Sequence, residues 1–130
     1  MPDVVATLRE ILGRHPEVDL AILFGSAAKG ALRKDSDVDL ALRATLGREA
    51  RNAMLAEIER ALGRTLDVVD IDAAPPLLRF EIARDGVVLL ERTPGALTVF
   101  RARAYVDWFD FAPIARMVHR RALERLRGPT

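Results

Sequence analysis

The chain has 130 residues, half of them apolar, and a net charge of only +1; that size and balance fit a single domain over 1–130 with a modest core. It holds no cysteine and two histidines, which excludes disulfides and thiolate sites and leaves a histidine-based zinc site short of ligands, so that any metal must be held by carboxylates. No apolar run approaches the roughly 20 residues of a membrane span, and the N-terminal MPDVVATLRE lacks the basic and apolar regions of a signal peptide; a soluble, cytoplasmic protein without a membrane partner is expected.

Val4, Val5, Leu8, Ile11 and Leu12 repeat at the spacing of one helical face, and Gly13 with Pro16 stops the pattern, which predicts a first helix. VDLAILFG, residues 18–25, is apolar in its middle and closed by glycine, as in a strand buried on both faces. AAKGALRKDS is small, basic and flexible, suiting a short helix and a turn, and DVDLALR from Asp37 to Arg43 alternates like a second strand. Residues 47–63 carry Met54, Leu55, Ile58, Ala61 and Leu62 on one face, with Gly63 as a C-terminal cap. TLDVVDID, 65–72, reads as a third strand. Pro75 and Pro76 open a helix running to about Arg84, with Arg79 and Glu81 read as a surface pair; Asp85-Gly86 turns into a fourth strand, VVLLE. From Pro94, Leu97, Phe100, Ala104, Trp108 and Phe111 form a helical stripe that Pro113 should end or kink before a last helix over 114–127.

The order of elements predicts an α/β (α+β) fold: a mixed sheet of about four strands packed with helices in a core over 1–92, and C-terminal helices added over 93–130. Charge divides along the same line. Residues 1–91 hold 12 basic and 16 acidic side chains, whereas residues 92–130 hold 8 arginines against 3 acids, a composition suited either to an acidic partner or to a solvated arginine face.

The stretch FGSAAKGALRKDSDVDL, 24–40, carries the chemistry. Residues two apart in a strand point to the same side, so Asp37 and Asp39 present their carboxylates together while Val38 turns into packing. Such a pair repels itself unless a cation sits between, and hard oxygen ligands select Mg²⁺ or Mn²⁺. A third acid on a neighbouring strand would complete a clamp for two ions. Asp67 and Asp70 compete for that place and face opposite sides of their strand. Asp67, between Leu66 and Val68, occupies the more apolar position, where a bare charge is costly and a metal would compensate it; it is the preferred candidate. Gly25 and Ser26 stand where a buried strand gives way to a short helix, a position from which backbone N–H groups can hold phosphate oxygens. Lys29 and Arg33 can offset the charge of a triphosphate, and Ser36 completes the candidate nucleotide-binding set. The chemistry expected is in-line displacement at phosphorus, with Asp37 and Asp39 holding both ions, and Asp67 the ion at the attacking oxygen.

Gly25-Ser26, ten residues, then Asp37-Val38-Asp39, with Asp67 in the later strand LDVV, resembles the nucleotidyltransferase superfamily that includes DNA polymerase beta. The short length and the segment APPLLRFEIARDG are similar to the minimal nucleotidyltransferases, the MntA-type antitoxins encoded with HEPN-domain toxins. The resemblance implies an enzyme that transfers AMP from ATP to a tyrosine hydroxyl of a HEPN ribonuclease toxin and so silences it, using two Mg²⁺ ions. It makes the cognate toxin and ATP the expected partners, does not favour nucleic acid, and leaves a homo-oligomer or a hetero-oligomer with the toxin open. The basic C-terminal segment, with Arg101, Arg103, Arg116, Arg120, Arg121 and Arg125, and the aromatic residues Trp108, Phe109 and Phe111 are candidates for docking, the aromatics being core residues on the alternative reading. Two other functions compete: an antitoxin that neutralises by contact alone, and a transferase acting on a small-molecule or RNA hydroxyl.

Overall fold

The computed structural model describes residues 3–127. Helix α1 (Val4–Gly13) starts where the Asp3 carboxylate accepts a hydrogen bond from the Ala6 N–H at 3.1 Å, satisfying one of the donors a first turn leaves open. Strand β1 (Val18–Phe24) is buried almost throughout, and a four-residue helix, α2 (Gly25–Ala28), follows it directly. Strand β2 (Val38–Ala44) lies antiparallel to β1. Helix α3 (Arg48–Leu62) ends on Gly63, whose φ of 65° and N–H bond to the Glu59 carbonyl at 2.8 Å make the expected left-handed cap. Through α3 the chain crosses over to strand β3 (Leu66–Asp70), parallel to β2. Helix α4 (Pro76–Asp85), strand β4 (Val87–Glu91, antiparallel to β1) and helix α5 (Ala96–Arg127) complete the order.

The sheet runs β3-β2-β1-β4, so β3 and β4 are its edges. Strand alternation splits the core in two. Val38, Leu40 and Leu42 of β2 meet Leu8 and Leu12 of α1 and Met54 and Ile58 of α3 on one face. Ala41 of β2, with Leu20 and Ile22 of β1, meets Ile82 and Ala83 of α4 and Phe100 and Ala104 of α5 on the other. This is the mixed four-stranded α+β sheet that the sequence predicts. Among the described residues no helix is long and apolar enough to cross a membrane.

The C-terminal segment departs from expectation. It is one helix of 32 residues with Pro113 inside it, not two helices. A proline forfeits one backbone hydrogen bond and crowds the turn before it; here that turn is held by other contacts. Trp108 stacks on Phe80 of α4 at 5.8 Å, Phe109 meets the same ring edge-on at 6.2 Å, and Ala112 is buried. A second departure is in α4, where Arg79 pairs with Asp107 of α5 at 2.8 Å and not with Glu81. Residues two apart on a helix do not face each other.

Candidate active site

Three strands place the predicted residues. Phe24, the last residue of β1, stands opposite Asp39 of β2, and Asp39 stands level with Asp67 of β3. Asp39 is thus the middle of a row that runs across the sheet. Asp37 precedes β2 by one residue, and Val38 between the two aspartates is fully buried, as the alternation requires. Asp39 is half-buried, whereas Asp37 and Asp67 are exposed. Burial pushes the Asp39 carboxyl up from its usual range, and the neighbouring charges of Asp67 and then Asp37 push it further. The two acids that act on it are the two expected to share its site.

Gly25 explains how the phosphate turn meets these acids. Its φ of 70° lies in the left-handed region, and a side chain there would run into the Asp39 carboxylate, with Cγ only 3.1 Å from the added carbon. Only a glycine allows the turn from β1 into α2 to pack directly on that carboxylate. Ser26 follows at the second position of α2, half-buried.

The apolar neighbours of Asp67 predict burial, and the structure corrects this: its side chain is exposed, because β3 is an edge strand. Register with Asp39, and not desolvation, brings it to the row. Asp70 stands level with Leu42, three residues further along, and its carboxylate accepts the Asp72 N–H at 2.9 Å in a turn that closes the strand.

The loop between α2 and β2 holds the remaining candidates. Lys29 and Arg33 are exposed, and Lys29 borders a cavity of about 250 Å³ together with Phe24, Gly25, Leu78, Glu81 and Arg84. The Ser36 hydroxyl accepts the Arg33 N–H at 2.9 Å, while the Ser36 N–H donates to the Arg33 carbonyl at 3.1 Å. The loop therefore uses that hydroxyl to fix its own shape. Arg64, which sequence reasoning missed, donates to the carbonyls of Arg33 at 2.7 Å and Ser36 at 3.1 Å, anchoring the loop that delivers Asp37. A basic residue between a helix-capping glycine and a strand, as in GRTLD, was the available signal.

The donor set suits a hard divalent cation: oxygen ligands only, three like charges, and a central carboxyl that resists ionising alone. Asp37, Asp39 and Asp67 are the residues that would hold it. Their side chains do not stand as a closed cage, since among the described residues no three acidic or histidine side chains are gathered closely enough to enclose an ion.

A mixed sheet with a glycine-serine turn beside a row of aspartates suits the chemistry of phosphoryl groups and divalent cations. The model of the family described as polymerase beta, nucleotidyltransferase matches residues 6–94, more than half of the chain, and the chain belongs to that family. It is 33% identical over 73 residues to the protein adenylyltransferase MntA of Shewanella oneidensis, a match covering 55% of this chain and 52% of that protein; the match thus spans about half the length of that relative. Among solved structures, a chain of a toxin–antitoxin crystal structure with AMP-PNP superposes with a TM-score of 0.77 at 22% identity, over 92% of this chain and 98% of that one. A chain from the complex of tri-AMPylated Shewanella oneidensis HEPN toxin with MNT antitoxin gives 0.70 at 20% identity, over 93% and 99%. At those identities the likeness establishes a common fold.

Proposed function

We propose that this protein is an antitoxin that transfers AMP from ATP to a tyrosine hydroxyl of a HEPN-domain ribonuclease toxin. The observation that carries the reading is the row across the sheet: Asp39 level with Asp67 and two residues past Asp37, with Gly25 against its carboxylate. The relative named a protein adenylyltransferase and the neighbour that holds an AMPylated toxin give the acceptor its class.

In this reading the turn at Gly25 and Ser26 receives the triphosphate through backbone N–H groups and the Ser26 hydroxyl, with Lys29 and Arg33 adding positive charge at its outer side. Ser36 and Arg64 keep the loop in shape, and so set where Asp37 stands. Asp37 and Asp39 orient the α-phosphate end for in-line attack. Asp67, on the exposed edge strand, takes the proton of the incoming hydroxyl on this reading. Mg²⁺ held by Asp37, Asp39 and Asp67 would supply charge neutralisation for the leaving group and would lower the pKa of the acceptor hydroxyl.

Intact-mass measurement of a HEPN-domain toxin incubated with this protein, ATP and Mg²⁺ tests the reading. One or more added AMP units, absent with Asp39→Asn, are expected. An unmodified toxin that is nevertheless neutralised would replace the reading with neutralisation by contact, and AMP on a small molecule or RNA in place of the toxin would replace the acceptor.

A further inference from the structure

The apolar side that seats α5 on α4 does not stop where α4 stops. Up to Ala112, α5 buries Ala96, Phe100, Ala104 and Ala112 itself. Beyond Pro113 the helix is exposed nearly all round, with Ile114, Val118 and Leu126 at 54%, 59% and 84% exposure. At 3.6 residues per turn, Trp108, Ala112, Ala115, His119, Leu123 and Leu126 share one side, because they recur at intervals of three or four. A groove of about 470 Å³ runs along that side, lined by Trp108, Ala112, Ala115, Arg116, His119 and Leu123. Arginines rim one flank of it, Arg116, Arg120 and Arg127, while the same periodicity turns Arg121 and Arg125 towards the back of the helix; Glu124 is the one acid between 113 and 127.

We propose that the second half of α5 is a docking site for an acidic amphipathic helix of a partner protein, seated in the groove beside Trp108 and held by the arginine rim. An unsupported helical overhang gains little stability in water, since packing of an amphipathic face supplies most of it. Alanines at 112 and 115 let another helix approach closely, much as α4 approaches the first half. The rim then finds carboxylates, and three arginines there, with Glu124 the one acid beyond Pro113, set the sign of the partner. A second copy of this chain is disfavoured by the same count, because a self-complementary contact would bring rim against like rim. Nucleic acid would meet the arginines and leave the apolar side bare, and a bilayer would be served by bulky residues where this groove has alanines. The proposal rests on α5 alone and not on the chemistry at Asp39.

Trp108 is the only tryptophan, so its emission reports directly on the groove. The probe is a synthetic helical peptide with a Leu/Ala side flanked by glutamates, titrated into the full chain. A saturable shift in Trp108 emission is expected, weakened about tenfold or more by Ala115→Glu and by Arg116→Glu with Arg120→Glu, and restored for the double charge reversal by a lysine-flanked peptide. Circular dichroism checks that these exposed substitutions leave the fold intact. No shift, an equal shift with a peptide of scrambled pattern, a stronger response to phosphatidylglycerol vesicles or to single-stranded RNA, or a dimer that Ala115→Glu dissolves would each overturn the proposal. With a HEPN-domain toxin as a second probe, the Asp39→Asn protein should bind as the parent does, which separates docking from transfer.

Discussion

Asp39 and Arg43 lie four residues apart on the same side of β2, and they occupy opposite electrostatic settings. Arg43 is a cation bracketed by acids: Asp72 accepts two hydrogen bonds from it at 2.9 and 2.8 Å, and Asp19 stands at 3.7 Å. Asp39 is an acid bracketed by acids, Asp67 and Asp37, and among the described residues no lysine, arginine or histidine forms an ion pair with any of the three. The Arg43 hydrogen bonds hold the Asp72 carboxyl below the usual carboxylate range, and burial with like charge holds Asp39 above it. The same strand balances charge at one end and leaves it unbalanced at the other. Frustration of that kind is characteristic of a place where something binds.

The sharpest test of the contrast is to neutralise each centre. Asp39→Asn is expected to lower AMP transfer by about 100- to 1000-fold, the scale of losing a group that stabilises transition-state charge, as read from toxin mass against time. Gly25→Ala attacks the same end through the backbone: a left-handed φ costs an ordinary residue about 1–2 kcal/mol, and the new methyl would displace the Asp39 carboxylate, so urea denaturation should show the loss and ATP binding should weaken with it. Arg64→Ala, which frees the carbonyls of Arg33 and Ser36, should cost about 1 kcal/mol and raise the KM for ATP more than it lowers kcat.

Stability then separates the two ends by sign. Because the Asp72 carboxyl is held low, its pairing stabilises the fold above the usual carboxylate range and is lost as pH falls through the lowered value. Asp72→Asn should therefore destabilise at neutral pH, by no more than about 1 kcal/mol for so exposed a pair, and match the parent in acid. Asp39 is held high, so the fold carries a penalty once it ionises. Asp39→Asn should raise stability at neutral pH, by about half a kcal/mol after solvent screening, with the gain fading as pH falls through the raised value and towards the ordinary one. Denaturation curves across pH 3 to 8 compare the two; a loss of stability in both variants would break the contrast.

Much of this was legible in the sequence because local pattern and tertiary role agree. The apolar run ending at Gly25, the alternation from Val38 and the capped helix before Gly63 each specify an element without reference to the rest. Asp37 and Asp39 were legible for the same reason, since strand parity is a local rule. The burial of Asp67 was not, because it depends on where β3 falls in the sheet, and strand order is a global property. Pro113 misled because its local cost is real and is offset by the packing of Trp108 and Phe109 on Phe80, residues some thirty positions distant. Arg64 and the Arg43–Asp72 pair were hidden likewise: a guanidinium names its partner only once the chain has folded.

The position of β3 has one more consequence. Among the described residues its outer side has no neighbouring strand, and an open rim of that kind invites other chains to add themselves by backbone pairing. Asp67 and Asp70 both lie exposed on it, so that two molecules meeting rim to rim bring carboxylate towards carboxylate. The acid that charges the corner of the sheet thus also discourages sideways growth into ladders, and replacing both aspartates with apolar residues would remove that safeguard.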